Sequence, residues 1–202
     1  MRRLDLLLFL VISACSTTTP QETFPIDFVL NNSIEQLDKL PIGDLEKYKT
    51  IDTTFIKKWF EGLPIPELDN KKLRCEEYLN GWYLIDHRRI DDKIVFSILG
   101  NGEAGILDLF YLTYDTVSKK VISINFLVGS YGDEGYYKGD LVEWADKNSI
   151  RITSKEVNID DSSEFIKISK TDSFVTQFSY ADRPFKAKEI FRHSKVDTIR
   201  TK

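Results

Sequence analysis

The hydrophobic and polar positions divide the chain into a helical part and a longer part with the period of β-strands. Up to about residue 74, apolar residues fall at helical spacing or without a clear period. After residue 75 they alternate with polar residues, which is typical of strands with one buried face. This alternation predicts nine strands, at 77–88, 93–100, 105–115, 120–130, 137–146, 149–157, 164–171, 173–181 and 185–195.

Short turn signals, such as Asp91-Asp92 and Asn101-Gly102, separate the predicted strands. Such short connections join antiparallel neighbours, so we expect a meander. Twist accumulates over nine strands and bends the sheet. The expected fold is therefore α+β and mostly β, an antiparallel meander curled into an open barrel or sandwich, with a small N-terminal helical segment. Between Ile106 and Tyr114 both faces carry large residues, which predicts a central strand covered on both sides.

Two local signals organise the predicted helical segment. Asn32-Ser33 predicts the cap of a short turn over 34–37, and Asp52 predicts the N-cap of a helix over 53–61. Four large apolar residues share one face of that helix: Phe55, Ile56, Trp59 and Phe60. This face is expected to pack against the sheet.

The N-terminus has the pattern of a targeting segment. Arg2 and Arg3 precede an apolar run over 6–14 that ends in small residues. A helix of this length rises about 14 Å, roughly half of a bilayer core, so the run predicts a signal peptide and not a membrane span.

The residues Ile12-Ser13-Ala14-Cys15 resemble the lipobox of bacterial lipoproteins. The resemblance implies that Cys15 carries diacylglycerol, that residues 1–14 are removed, and that the new amine is acylated. Ser16 resembles the outer-membrane type, which places the protein in the cell envelope. Two alternatives are an ordinary signal peptide that contains a cysteine and a buried N-terminal element.

The polar stretch 16–23 fits a tether that follows the lipidated cysteine. The predicted organisation is a signal peptide at 1–14, a lipidated tether at 15–25 and a single domain at 26–202. Within that domain, residues 26–74 form a helical or irregular cover and residues 75–202 form the β-meander.

Composition narrows the classes of function. The chain has 42% hydrophobic and 12% aromatic residues, which argues against disorder. Its formal net charge of −4 and pI near 5.3 exclude the basic surface of a nucleic-acid-binding protein. Removal of residues 1–14 would take away Arg2, Arg3 and Asp5 and leave −5. The membrane contact must then come from the lipid.

The reactive side chains are few. Cys75 is the only thiol left if Cys15 is lipidated, and we expect it to be buried and inert; a nucleophile or an intermolecular disulfide are the alternatives. Asp86 and His87 would point to opposite faces of a strand and so would not pair. These two residues, together with His193, match no zinc, hydrolase or nucleotide motif. We expect no catalytic residues, metal or cofactor.

The segment 129–140 is the most promising binding element. It contains four glycines, three tyrosines and three carboxylates in twelve residues. A solvated hairpin, a ligand-binding loop and a metal or catalytic loop all fit this composition. The candidate ligand-binding residues are Tyr131, Asp133, Glu134, Tyr136, Tyr137 and Trp144. Trp82, Tyr83 and Trp144 would either form a platform for sugars or pack in the core.

Beyond the lipobox, the composition and glycine-broken meander resemble β-rich lipoproteins of diderm bacteria, particularly of the Bacteroidetes. This resemblance implies a lipid-anchored binding or structural protein of the envelope, without enzymatic activity, whose partner is an envelope protein or glycan. One alternative is a carrier of a lipid or other apolar ligand in an open barrel. Another is a carboxylate-dependent enzyme that acts on glycans.

Overall fold

The computed structural model describes residues 22–41, 45–133, 136–146, 149–160, 166–179 and 186–200. The predictions of a signal peptide and of lipidation at Cys15 fall outside these residues. Among the residues described, no helix combines the length and apolar character needed to cross a bilayer.

The segment before the long strands combines short helices with short strands. The helices are α1 (Ile26–Asn32) and α2 (Thr53–Trp59). The strands are β1 (Ile34–Glu35), β2 (Lys39–Pro41), β3 (Lys49–Ile51), β4 (Pro64–Ile65) and β5 (Lys71–Lys72). Single 3₁₀ turns lie at Leu45–Lys47, Pro66–Leu68 and Cys75–Glu77.

The prediction of a turn over 34–37 was wrong. Helix α1 ends at Asn32, and Ile34 and Glu35 form β1, which pairs in parallel with Asp86 and His87. The prediction for the second helix is confirmed at its start, where the Asp52 carboxylate accepts a hydrogen bond of 2.7 Å from the Thr54 amide.

Eight long strands follow in a meander. They are β6 (Gly81–Ile90), β7 (Lys93–Asn101), β8 (Leu107–Asp115), β9 (Lys120–Asp133), β10 (Tyr136–Trp144), β11 (Ser149–Asp160), β12 (Ile166–Ser179) and β13 (Lys186–Arg200). Each pairs antiparallel with the next. The two strands predicted at 164–171 and 173–181 are a single strand, β12, so the prediction of nine strands was wrong there.

The sheet folds over at β9. Residues 120–130 of this strand pair with β8, whereas residues 131–133 pair with β10. Strand β2 pairs with β10 beyond the point where β9 leaves it, and β1 and β3 line the outer edge of β6. The fold is α+β and mostly β, an open antiparallel sandwich whose sheet does not close into a barrel.

Two hydrophobic clusters lie on opposite faces of strands β6–β9. Alternate residues of β8 enter each one: Phe110 and Leu112 the first, and Leu109 and Tyr111 the second. Helices α1 and α2 cover the first cluster, and residues of β10 and β11 cover the second. The prediction of a central strand covered on both sides is therefore confirmed.

Phe24 is the centre of the first cluster. Its ring centroid lies 5.5–6.1 Å from those of five other rings: Phe55, Trp59, Phe60, Phe96 and Tyr114. Only 6% of Phe24 is exposed. Phe24 is therefore part of the folded core, although the sequence analysis assigned it to the tether at 15–25.

Candidate functional site

The segment 129–140 forms a hairpin of β9 and β10. Tyr136 pairs with Asp133, and Tyr137 pairs with Gly132. Tyr136 is half-buried. Glu134 and the side chains of Tyr131 and Asp133 lie outside the part of the chain that the structure describes.

The position of the Tyr137 side chain explains one glycine of this hairpin, Gly139. Tyr137 is 54% exposed. Its ring lies so close to Gly139 that a Cβ atom at residue 139 would overlap the ring. A Cβ at Gly132 would lie 3.6 Å from the same ring. Tyr137 and Gly139 are both in β10, so the missing side chain at residue 139 leaves room for the ring to lie along its own strand, which gives Tyr137 a structural role.

Trp144 lies at the opposite end of β10. Its Nε1 donates a hydrogen bond of 3.0 Å to the Tyr111 hydroxyl, and the Arg88 guanidinium lies 4.3 Å from its ring centroid. Seven residues of extended strand place it about 24 Å from Tyr137. The structure therefore does not bring Trp144 and the hairpin tyrosines into one site. Of the other two candidate platform residues, Trp82 is fully buried in the first cluster, and Tyr83 is half-buried and packs against the second.

Asp86 and His87 have different partners, as the alternation of side chains predicts. Asp86 is fully buried, accepts a hydrogen bond from the Ser97 hydroxyl and donates one from its amide to the Ser97 Oγ, at 3.2 Å. Burial raises the pKa of Asp86 to about 7, although the Ser97 hydrogen bond and Arg88 oppose this change. His87 Nδ1 instead forms a hydrogen bond of 2.7 Å with the Ser33 Oγ, and burial lowers its pKa.

The Tyr78–Asp108 pair is a polar feature that the sequence analysis missed. The Tyr78 hydroxyl donates a hydrogen bond of 2.8 Å to Oδ2 of Asp108, whose pKa is raised by burial. Gly100 and Gly129 are the two cross-strand neighbours of Asp108. A Cβ at Gly100 would overlap the Tyr78 ring, and one at Gly129 would overlap Oδ1 of Asp108. The sequence signal for this pair is that the predicted strands on either side of Asp108 each contain a glycine, Gly100 and Gly129.

Two of the surface cavities are formed by residues that the structure describes. One, of about 370 Å³, lies between Phe24, Trp59 and the turn that contains Lys119. The other, of about 400 Å³, lies between the β4–β5 hairpin and Tyr78. Side chains of the first cluster fill the space between the helices and the sheet. Neither cavity is the continuous apolar interior that a carrier in an open barrel would need.

Cys75 is buried as predicted, with 1% of the residue exposed. Burial raises the pKa of its thiol to about 11, and Glu61 contributes in the same direction. The thiol is therefore protonated at neutral pH and a poor nucleophile. Among the residues that the structure describes, no three His, Cys, Asp or Glu side chains gather closely enough to hold a metal ion.

The architecture defines the class of this protein as an open, mostly antiparallel β-sandwich with a small helical cover. Comparison of the chain with protein-family models, curated proteins and solved structures found no match.

Proposed function

We propose that this protein is a lipoprotein of the bacterial cell envelope that is anchored through Cys15 and binds another envelope protein, without catalysing a reaction. The lipobox and Ser16 support the anchor and favour the outer membrane. Phe24, a buried core residue, follows Cys15 by nine residues, which span about 32 Å at most when extended. The end of the domain that contains Phe24 would then stay close to the membrane.

Strand β13 is the observation that supports partner binding most strongly. It pairs with β12 on one side, and no described strand pairs with its other side. All nine residues from Glu189 to Asp197 are exposed, including Ile190 at 52%, Phe191 at 57% and Val196 at 61%. Such a long exposed edge presents unpaired backbone groups to which another chain can add a strand, and that chain would also cover the three large apolar side chains.

The charge of β13 favours an acidic partner. Residues 186–200 contain five basic and two acidic side chains, whereas the whole chain has a net charge of −4. An extended acidic segment would add a strand through backbone hydrogen bonds and would match these charges. The proposed partner is therefore an envelope protein that supplies such a segment.

The location of the buried carboxylates favours surface binding over catalysis on a glycan. Ser97 binds Asp86 and Tyr78 binds Asp108, and the two carboxylates lie on opposite faces of strands β6–β9. An enzyme of that class needs two carboxyl groups on either side of one open cleft.

Replacement of Cys15 tests the anchor. In cells labelled with a radioactive fatty acid, we expect the Cys15→Ser variant to lose the label and to leave the membrane fraction. The matched Cys75→Ala variant should keep both. A Cys15→Ser protein that still carries the label would contradict the proposal.

A photo-crosslinking amino acid at Val196 tests the binding surface in intact cells. We expect an adduct with one envelope protein through an acidic peptide, and its loss when Lys195→Glu is added. The control position is Val117, which is 76% exposed in the β8–β9 turn. Equal adducts at both positions, no adduct at Val196, or an adduct with a second copy of this chain would overturn the proposed partner.

A further inference from the structure

We propose that the cleft between the β4–β5 hairpin and Tyr78 binds an organic phosphate, that is, a phosphomonoester attached to an apolar group. The cleft has a volume of about 400 Å³, which lies within the range of small-molecule sites. This proposal does not depend on the lipid anchor or on β13.

The hairpin wall of the cleft is held in place on two sides. Its backbone is closed by a hydrogen bond of 3.1 Å from the Leu73 amide to the Leu63 carbonyl, and Ile65 and Leu73 are buried in the first cluster. At its tip, Glu67 accepts hydrogen bonds from the Asn125 side chain and the Phe126 amide of β9, at 2.6 and 3.2 Å. A wall fixed in this way leaves little ordering entropy to be lost when a ligand binds.

Tyr78 forms a rigid floor. Its hydroxyl is occupied by Asp108, and its ring centroid lies 4.4 Å from that of Trp82. The ring sits directly on the backbone at Gly100. The apolar surface that the cleft offers to a ligand comes mainly from the half-buried Leu68, together with the 7% of Tyr78 that remains exposed.

Three cations give the cleft its charge. Lys71, Lys72 and Arg74 line it together with one carboxylate, Glu77, for a net charge of +2 in a chain with a net charge of −4. All three are exposed, and none is joined to a carboxylate within the described part of the chain. A phosphomonoester carries a charge of about −1.5 to −2 at pH 7, which matches this lining. Arginine adds a planar fork that binds two phosphate oxygens.

Calorimetric titration of the purified full chain in a neutral detergent, whether or not the chain carries a lipid, tests the proposal. The probes are phenyl phosphate, inorganic phosphate and dihexanoyl phosphatidic acid. We expect saturable binding of phenyl phosphate that is at least about tenfold tighter than that of inorganic phosphate, because only the former contacts Tyr78 and the leucines. Tighter binding of the phosphatidic acid would identify a lipid headgroup as the source of the phosphate, and weaker binding would identify a soluble ligand.

Matched double variants locate the binding. Lys71→Gln with Lys72→Gln should weaken phenyl phosphate binding by about tenfold or more, because each removes a charged contact. Lys119→Gln with Lys120→Gln removes an equal charge at the other cavity and should leave the affinity unchanged. Absence of saturable binding, equal weakening by both double variants, or equal affinities for phenyl and inorganic phosphate would overturn the proposal.

Discussion

Replacement of Asp86 by asparagine should stabilise the protein at alkaline pH and leave its stability nearly unchanged at acidic pH. Asp86 is fully buried, and its Oδ2 has no hydrogen-bond partner within the described residues. The ionised carboxylate is therefore poorly solvated in the folded state. Asparagine keeps the shape and an oxygen that accepts from Ser97 but never ionises.

The magnitude follows from the difference in pKa between the folded and unfolded chains. Folding raises the pKa of Asp86 from its usual 3.8 to about 7, so the folded protein binds the proton more tightly. The contribution of the protonated Asp86 to the free energy of unfolding is complete below pH 3.8. It decreases above that pH and is lost once the pH has risen through 7. Since a tenfold change in the acid dissociation constant is about 1.4 kcal/mol, the wild type loses about 4 kcal/mol over this window.

Urea denaturation at pH 4, 6 and 8 measures this effect. We expect the free energy of unfolding of Asp86→Asn to exceed that of the wild type by a margin that grows across this series. The companion variant Ser97→Ala should extend the fall in stability to higher pH and make it larger, because the Ser97 hydrogen bond holds the pKa of Asp86 down in the folded state. A difference between Asp86→Asn and wild type that stays constant with pH would refute the reasoning.

Three further substitutions probe the core and the cleft. Phe24→Ala should lower the free energy of unfolding by about 3–5 kcal/mol in urea, because it leaves a cavity at the centre of the first cluster. Tyr78→Phe should cost about 1–3 kcal/mol by leaving Asp108 without its partner, and in an Asp108→Asn background the loss should shrink. Glu67→Ala should cost about 1–2 kcal/mol and increase light scattering, because it uncovers the edge of β9.

The sequence predicted the elements whose burial is regular. Strand β8 was recognised because each of its faces enters a different cluster, and α2 because Asp52 caps it and its apolar residues repeat at helical spacing. The β1 strand was missed because two residues carry no period, and its pairing with Asp86 and His87 is a long-range contact. Short strands of this kind are specified by the edge that they cover and not by their own residues.

The location of a binding site was also difficult to predict from residues that are close together in the sequence. Tyrosine, glycine and carboxylate residues crowd the segment 129–140, and their density indicated a binding loop. The structure uses part of that composition locally, because the Tyr137 ring occupies the space that a side chain at residue 139 would need. The basic cleft instead combines Lys71 and Lys72 with Tyr78 through the packing of a hairpin, which no spacing along the chain reveals.

The failure at residues 164–181 has a physical cause that bears on the proposed function. The predicted strands at 164–171 and 173–181 leave the polar residue Asp172 between them. In the structure Asp172 pairs with Lys170 at 2.8 Å and accepts a hydrogen bond of 2.5 Å from Ser194 of β13. Strand β12 can continue through these polar residues because its neighbour β13 is exposed on both faces over residues 189–197. The same exposure of β13 leaves Ile190 and Phe191 in solvent, which supports the proposal that a partner covers this strand.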